Sequence, residues 1–289
     1  MDLTSVSKYI RSNALFLSML LGVIIGLLEL GGVWPWRAAS WVLPCCIFMM
    51  LFFTFLKMNP LTLRLHLWHG VILLFQILVS LALYYAFYRI DPILAQGLFI
   101  CVLMPSATAA PIIAAKLGGN ILNLTAYTLL SNALTAILVP LLFPLVNPGA
   151  DLPFWHSFVL ILRRISPMLI GPFISAWLLR LLYTRFTHRE PELRGWVAEL
   201  PFTLWVVTLV VLMAKMTRDL AAYDGNLLVL LAMFVGALLT CILQFYVGKW
   251  VGEHLPVYSK AESRVTAGQA LGQKNTTLAI WLAATYLNP

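Results

Sequence analysis

A polar stretch with the sequence AGQALGQKNTTL, residues 267–278, interrupts an otherwise apolar segment near the C-terminus. Its single charged residue, Lys274, stands between Gln273 and Asn275, and two glycines precede it. Amide and ammonium groups bind ions and charged ligands, and glycines let a helix unwind at little cost. Polar, irregular backbone at membrane depth is tolerated only where it lines a cavity or is buried in protein. This stretch is therefore the first candidate for a functional site.

The position of Lys274 in the chain gives its charged side chain a high free-energy cost of insertion into a membrane. The residue lies about midway between Arg264 and Leu287, at the centre of the apolar segment. An ammonium group at that depth costs at least about 2.5 kcal/mol on insertion scales. It needs a partner, a water-filled cavity or the loss of its proton, and such a residue indicates a functional site by default. The alternative is that the span is misplaced and the lysine lies outside it.

A second apolar segment is interrupted in the same way. Pro105, Ser106, Thr108 and Pro111 fall in the middle of the predicted span 93–117. A proline removes one backbone amide and frees carbonyl groups one turn earlier. Paired interrupted helices, one in each half of a chain, are the best sequence indication of an inverted-repeat transporter with a midplane site. The alternative is that prolines and glycines are simply common in membrane helices.

The following span, 121–146, carries a polar stripe. Thr125, Thr128, Asn132 and Thr135 recur at helical spacing, so one helix face can look into the same cavity as the two interrupted segments. The alternative is that these hydroxyl and amide groups only join neighbouring helices. The stripe by itself therefore indicates a buried polar face and no particular ligand.

The remaining sequence predicts an all-α integral membrane protein. Of the 289 residues, 61% are hydrophobic and only 10% are charged, against about half and a quarter in soluble proteins. The first apolar block is longer than the apolar part of a signal peptide, and further blocks follow it, which favours a first transmembrane helix. Nine spans are predicted: 14–31, 39–58, 67–88, 93–117, 121–146, 157–182, 198–216, 226–250 and 264–287.

The charge distribution indicates orientation in a membrane. The net charge of +8 comes from Lys and Arg residues that stand singly between apolar blocks, a pattern that does not favour nucleic-acid binding. A cytoplasmic N-terminus places twelve of the eighteen basic residues other than Lys274 on the cytoplasmic side. We therefore expect a multi-pass protein of the inner (plasma) membrane of a bacterium, with its N-terminus in the cytoplasm.

The sequence does not favour an enzyme. No HExxH or GxSxG motif occurs, and no paired aspartates occur within a span. The four cysteines lie in apolar blocks without a CxxC pair, so neither a zinc site nor a disulfide framework is expected. We expect no cofactor.

The two interrupted segments resemble the motifs of a known family. Residues 104–120, MPSATAAPIIAAKLGGN, resemble the fourth-helix motif of the bile acid:sodium symporter family, PGGTASN followed by a helix and a Gly-Asp or Gly-Asn turn. Residues 272–279, GQKNTTLA, resemble its ninth-helix pattern, ExGxQNxxLA. The resemblance covers residues 14–289 and indicates a divergent member.

The resemblance implies an inverted-repeat transporter fold of ten helices, in which helices 4 and 9 are broken and cross near the sodium and substrate sites. Residues 1–289 would form a single membrane transporter domain. Its panel would contain the spans near 14–58 and 157–216, and its core those near 67–146 and 226–287. Because nine spans are predicted, the tenth helix is expected to be missing.

The resemblance also implies a set of site residues. The expected substrate-binding residues are Thr108, Lys274 and Asn275. The expected ion-binding or coupling residues are Gln76, Thr128, Gln269 and Lys274. The family's sodium ligands are replaced at Ala110, Pro111, Leu124 and Ala270.

These replacements make sodium coupling doubtful, because too few hard oxygen ligands remain. Lys274 instead supplies a positive charge at a ligand position. We therefore expect a secondary transporter of a small organic anion that works by alternating access. It would be sodium-independent, or proton-linked if the lysine gives up its proton during the cycle. The alternative is a transport-inactive relative that acts as a membrane receptor or structural partner. The expected partners are the anion and the lipid bilayer, without nucleic acid.

Overall fold

The structure is a computed structural model, and it describes residues 13–31, 42–56, 64–146, 153–188, 191 and 196–287. The described residues form eleven α-helices joined by turns and short extended segments. In chain order the helices are α1 (Ala14–Leu30), α2 (Val42–Leu56), α3 (Leu67–Phe87), α4 (Pro92–Leu103), α5 (Ala110–Lys116), α6 (Ile121–Val146), α7 (Phe154–Thr187), α8 (Trp196–Ala221), α9 (Leu227–His254), α10 (Lys260–Gly272) and α11 (Thr276–Tyr286).

Each predicted span falls on a helix or on a pair of short helices. The interrupted span 93–117 corresponds to α4 and α5, with residues 104–109 between them, and the span 264–287 corresponds to α10 and α11. Helix α7 has 34 residues and extends beyond 157–182 at both ends. Residues 1–12, whose charges enter the predicted orientation, lie outside the described residues.

Several helices have the length and composition of membrane spans. Among the described residues, α3, α6, α9 and residues 199–221 of α8 are long and apolar enough to cross a bilayer. Large apolar side chains of α9 face outward along its whole length, including Leu231, Phe234 and Leu238, each more than half exposed. Such a surface requires an apolar environment, so the helices are those of a membrane protein.

Two apolar clusters hold the helices that carry the breaks. The first cluster contains Leu103 and Met104 from the end of α4 and Leu278 from α11. The second cluster contains Ala110 from the start of α5 and Leu271 from the end of α10. Each break therefore lies between the two clusters. The helix on one side of the break packs in the first cluster, and the helix on the other side packs in the second.

Glycines allow the closest helix packing. A Cβ atom added to Gly248 of α9 would lie 2.5 Å from the carbonyl oxygen of Ala267 in α10. On α1, a Cβ atom added to Gly22 would lie 2.5 Å from the Val210 carbonyl oxygen of α8, and one added to Gly26 would lie 2.7 Å from the Ala214 carbonyl oxygen. An ion pair between Glu29 and Arg218, 2.8 Å long, joins the same two helices. These contacts fix α9 against α10 and α1 against α8.

Candidate functional site

The two interrupted spans meet at their breaks. Ser106 and Lys274 form an isolated antiparallel β-bridge. Two backbone hydrogen bonds of 2.9 Å flank it, donated by Ala107 to Gln273 and by Asn275 to Pro105. The two unwound segments therefore satisfy each other's backbone groups, as buried backbone away from water requires. We call residues 104–109 and 273–275 together the crossing.

The bonding pattern places the side chains of Ser106 and Lys274 side by side. Since the flanking residues make the hydrogen bonds, Ser106 and Lys274 are a non-hydrogen-bonded antiparallel pair. The two Cα atoms of such a pair lie about 4.5 Å apart, with the side chains close together. Successive residues of an extended segment alternate in direction, so Gln273 and Asn275 point to the opposite side.

Two prolines set the break between α4 and α5. Helix α4 ends at Leu103, and Met104 adopts an extended conformation with φ −58° and ψ 147°. The residue before a proline is biased away from the helical region, so Pro105 ends the helix at this point. Pro111 lies in the first turn of α5, where its missing amide has no helical partner to lose. One proline thus stops the first helix and the other starts the second.

The break between α10 and α11 depends on an extended residue and a helix cap. After Gly272, Gln273 is extended with φ −93° and ψ 107°. Asn275 is the N-cap of α11, and its Oδ1 atom accepts a hydrogen bond from the Leu278 amide at 3.1 Å. An asparagine in this role stabilises a helix start by about 1 kcal/mol. Asn275, predicted to bind substrate, therefore also starts the second half-helix.

The carbonyl end of α4 is capped by two buried glutamines. The Nε2 group of Gln76 donates hydrogen bonds to the carbonyl groups of Leu103 and Met104, and its Oε1 atom accepts one from the Tyr127 hydroxyl at 3.2 Å. From α9, the Nε2 group of Gln244 donates to the carbonyl of Cys101 at 3.3 Å. The carbonyl groups that proline frees are therefore occupied by the protein's own amides.

The ammonium group of Lys274 has no partner of this kind. Its Nζ atom is shielded from solvent and makes no hydrogen bond with the described residues. The Cys101 thiol lies close enough for an electrostatic interaction with it. A buried ammonium without a counter-charge carries a large desolvation cost. The geometry therefore leaves one positive charge at the crossing to be neutralised or hydrated.

Three oxygen atoms near the crossing also lack partners in the described part of the chain. They are Oγ of Ser106, Oδ1 of Asn132 and Oε1 of Gln244. Ser106 pairs with Lys274, Gln244 contacts Cys101, and Asn132 is adjacent in α6 to Ser131, which accepts a 3.0 Å hydrogen bond from the Ser106 amide. Because buried polar groups are normally paired, these atoms and Lys274 are the candidate ligand-binding groups.

The ends of four helices meet at the crossing. Helices α4 and α10 end at the crossing, and α5 and α11 begin there. Carbonyl ends of helices carry partial negative charge and amide ends partial positive charge. Lys274 lies two residues beyond the last residue of α10 and pairs with Ser106 just beyond α4. The crossing thus brings two carbonyl ends and two amide ends together, and their partial charges act on the Lys274 ammonium in opposite directions.

Apolar packing fills the positions where the resemblance expects sodium ligands. Ala110, Leu124 and Ala270 are fully buried members of the second apolar cluster, and Pro111 is buried beside them. In the same cluster the Tyr127 ring stacks on Trp68 with ring centroids 5.6 Å apart. Among the described residues, no group of three or more His, Cys, Asp and Glu side chains is placed to hold a metal ion.

The other predicted site residues lie at different distances from the crossing. Thr108 is half-buried within it. Gln269 accepts a hydrogen bond from Gln273, one turn further along the chain. Thr128 is fully buried, but its hydroxyl donates to the carbonyl of Leu124 in its own helix at 2.9 Å. The crossing therefore contains Thr108, Lys274 and Asn275, with the Asn275 side chain on the side opposite Lys274, while the Thr128 hydroxyl serves its own helix.

Sequence reasoning missed three residues of the site. Ser106 was noted only as part of the interruption, although it stands two positions before Thr108. Ser131 occupies the same α6 face as Thr128 and Thr135, three residues after the first. Gln244 is the single amide in a long apolar helix, and that isolation is a signal for a buried polar contact.

The chain was compared with known proteins. No family model matches it, and no curated protein sequence shows significant similarity to it.

Proposed function

We propose that this chain is a secondary transporter of a small organic anion, that it is a divergent relative of the bile acid:sodium symporters, and that it works without sodium. The observation that carries the proposal is the buried, unpartnered ammonium of Lys274 where two broken helices cross. Intramembrane ionisable residues at such positions characterise transport pathways.

Sodium independence is supported by three features of the site. The positions Ala110, Leu124 and Ala270 are packed with apolar side chains. The Gln76 amide occupies carbonyl groups at the end of α4, the type of group that coordinates sodium in broken-helix transporters. Lys274 supplies a tethered positive charge at the crossing itself. The lysine would thus take the place of a bound cation whenever it is protonated.

The preference for an anion follows from the same charge. An anionic ligand brings the counter-charge that Lys274 lacks, and the amide end of α11 adds partial positive charge nearby. In the proposed cycle, a panel of α1, α2, α7 and α8 moves against a core of the other helices. The tight packing of α1 on α8 and of α9 on α10 supports this division, since each pair then lies within one moving body.

Transport by reconstituted protein tests the proposal. Purified protein in proteoliposomes is offered radiolabelled acetate, succinate and taurocholate, with sodium or choline as the external cation. We expect uptake of at least one anion at the same rate in both media. Lys274→Gln is expected to abolish that uptake, because it removes the counter-charge. Lys116→Gln, which removes an exposed charge from the end of α5, is the matched control and should transport normally.

Two results would reject this function. Strong dependence of uptake on sodium would contradict the replaced-cation argument, and undiminished uptake by Lys274→Gln would contradict the role of the lysine. Binding of these anions without flux in either medium would favour the alternative, a receptor or structural partner in the membrane. A stimulation of uptake by an inward proton gradient would identify the proton as the coupling ion.

A further inference from the structure

Ser106 is the residue that pairs with Lys274 across the bridge. Ser106 is fully buried, and its backbone amide is satisfied by the Ser131 hydroxyl at 3.0 Å. Its Oγ atom, in contrast, has no hydrogen-bond partner among the described residues. The residue therefore uses its backbone to hold the crossing and leaves its hydroxyl free.

The pairing of the two segments puts both free groups on one side of the crossing. Ser106 and Lys274 are a non-hydrogen-bonded antiparallel pair, so their side chains leave the backbone on the same side. A hydroxyl can donate one hydrogen bond, and an ammonium group can donate three. Two donors side by side, one of them charged, match the two oxygen atoms of a carboxylate.

We propose that Ser106 and Lys274 bind the same carboxylate group of the transported anion, with the Ser106 hydroxyl and the Lys274 ammonium each donating to it. This inference rests on the proposed function. It makes Ser106 a specificity-determining residue, since a carboxylate accepts from both donors at once whereas a halide ion offers a single atom. Lys274 is the one buried, unpartnered charge at the crossing, so the preferred ligand is a monocarboxylate.

A purely structural role for Ser106 makes a different prediction about stability. If the hydroxyl mattered for packing, Ser106→Ala would destabilise the protein. Because the hydroxyl is buried without a partner, its removal should leave the melting temperature of the ligand-free protein unchanged or raise it. Ser80→Ala is the matched control, since Ser80 is also fully buried but donates to the carbonyl of Ile77 at 2.9 Å.

A double-mutant cycle on propanoate binding tests the proposal. Binding to the detergent-purified full chain is measured by titration calorimetry, with chloride balancing the ionic strength. Ser106→Ala should weaken binding about ten- to a hundred-fold, as expected for loss of a hydrogen bond to a charged group. Lys274→Gln should weaken binding but leave it measurable at high propanoate concentration. In that background the same substitution should change the affinity by less than about twofold, because both groups act on one carboxylate. Ser80→Ala should bind as the unaltered protein does.

The outcomes separate this inference from the proposed function. If the unaltered protein takes up one of the anions tested in proteoliposomes but does not bind propanoate at millimolar concentrations, this inference is rejected and the proposed function stands. If Lys274→Gln loses binding while Ser106→Ala retains it fully, only the role of Ser106 is rejected. Equal effects of Ser106→Ala in both backgrounds would show that the two residues do not hold the same group.

Discussion

Replacement of Gln76 by leucine probes the contact that caps the end of α4. The substitution keeps the volume of the side chain nearly constant and removes its two donors and its acceptor. Three hydrogen bonds are lost: two from Nε2 to the carbonyl groups of Leu103 and Met104, and one from the Tyr127 hydroxyl to Oε1. All three partners are fully buried, so water does not replace the lost bonds.

The expected loss of stability follows from the number of bonds. Side-chain hydrogen bonds inside membrane proteins are worth about 0.6 kcal/mol on average and at most about 1.7 kcal/mol. Loss of three such bonds should lower the free energy of unfolding by about 2 kcal/mol. The loss should exceed this average because two buried carbonyl groups are left without a donor. Gln96→Leu is the matched control. Gln96 is also buried, and the structure gives it one hydrogen bond, to the carbonyl of Val146 at 2.9 Å, so its loss should cost about 0.6 kcal/mol.

Equilibrium unfolding with sodium dodecyl sulfate in mixed micelles measures both variants. Circular dichroism follows the helix content, and the fluorescence of the ten tryptophans follows the tertiary packing. We expect the free energy of unfolding to fall roughly three times as far for Gln76→Leu as for Gln96→Leu. Equal losses for the two variants would refute the view that Gln76 holds the end of the broken helix.

Three further predictions concern glycines and use the same unfolding assay. Gly118 has a φ of +84° in an open turn, so Gly118→Ala should cost about 1 kcal/mol from backbone conformation alone. Gly70 is helical with nothing within 4 Å of an added Cβ; Gly70→Ala should therefore stabilise by about 0.5–1 kcal/mol, and a loss there would contradict the conformational argument. Gly248→Ala should destabilise by about 1–3 kcal/mol, because the new methyl group meets the Ala267 carbonyl at 2.5 Å. Unchanged stability would show that α9 and α10 pack less tightly than described.

Much of the architecture could be read from local patterns. Apolar blocks long enough to cross a membrane predict helices wherever they occur, because hydrophobicity and hydrogen bonding act along the segment itself. The breaks were also visible, since proline and glycine act on the backbone within one turn. Pro105 and Gly272 stand at the ends of α4 and α10, as that local chemistry requires.

The composition of the site was determined by the sequence in the same sense. Alanine, proline and leucine cannot supply the side-chain oxygen atoms that sodium needs, wherever the fold places Ala110, Pro111, Leu124 and Ala270. Lys274 carries its charge at the centre of an apolar segment in any arrangement of the helices. The lack of side-chain oxygen atoms at these four positions and the presence of a lysine within an apolar segment therefore follow from residue types alone.

Only the tertiary structure decided which groups meet. The antiparallel pairing of Ser106 with Lys274 joins segments far apart in the chain, and a shift of one residue in that pairing would turn the side chains to the other side. The capping of α4 by Gln76 and Gln244 depends in the same way on how α3 and α9 pack against it. No local pattern specifies such contacts, because their geometry is set by the packing of whole helices. For the same reason Ser106, an ordinary serine in the sequence, becomes a candidate ligand-binding residue only in the fold.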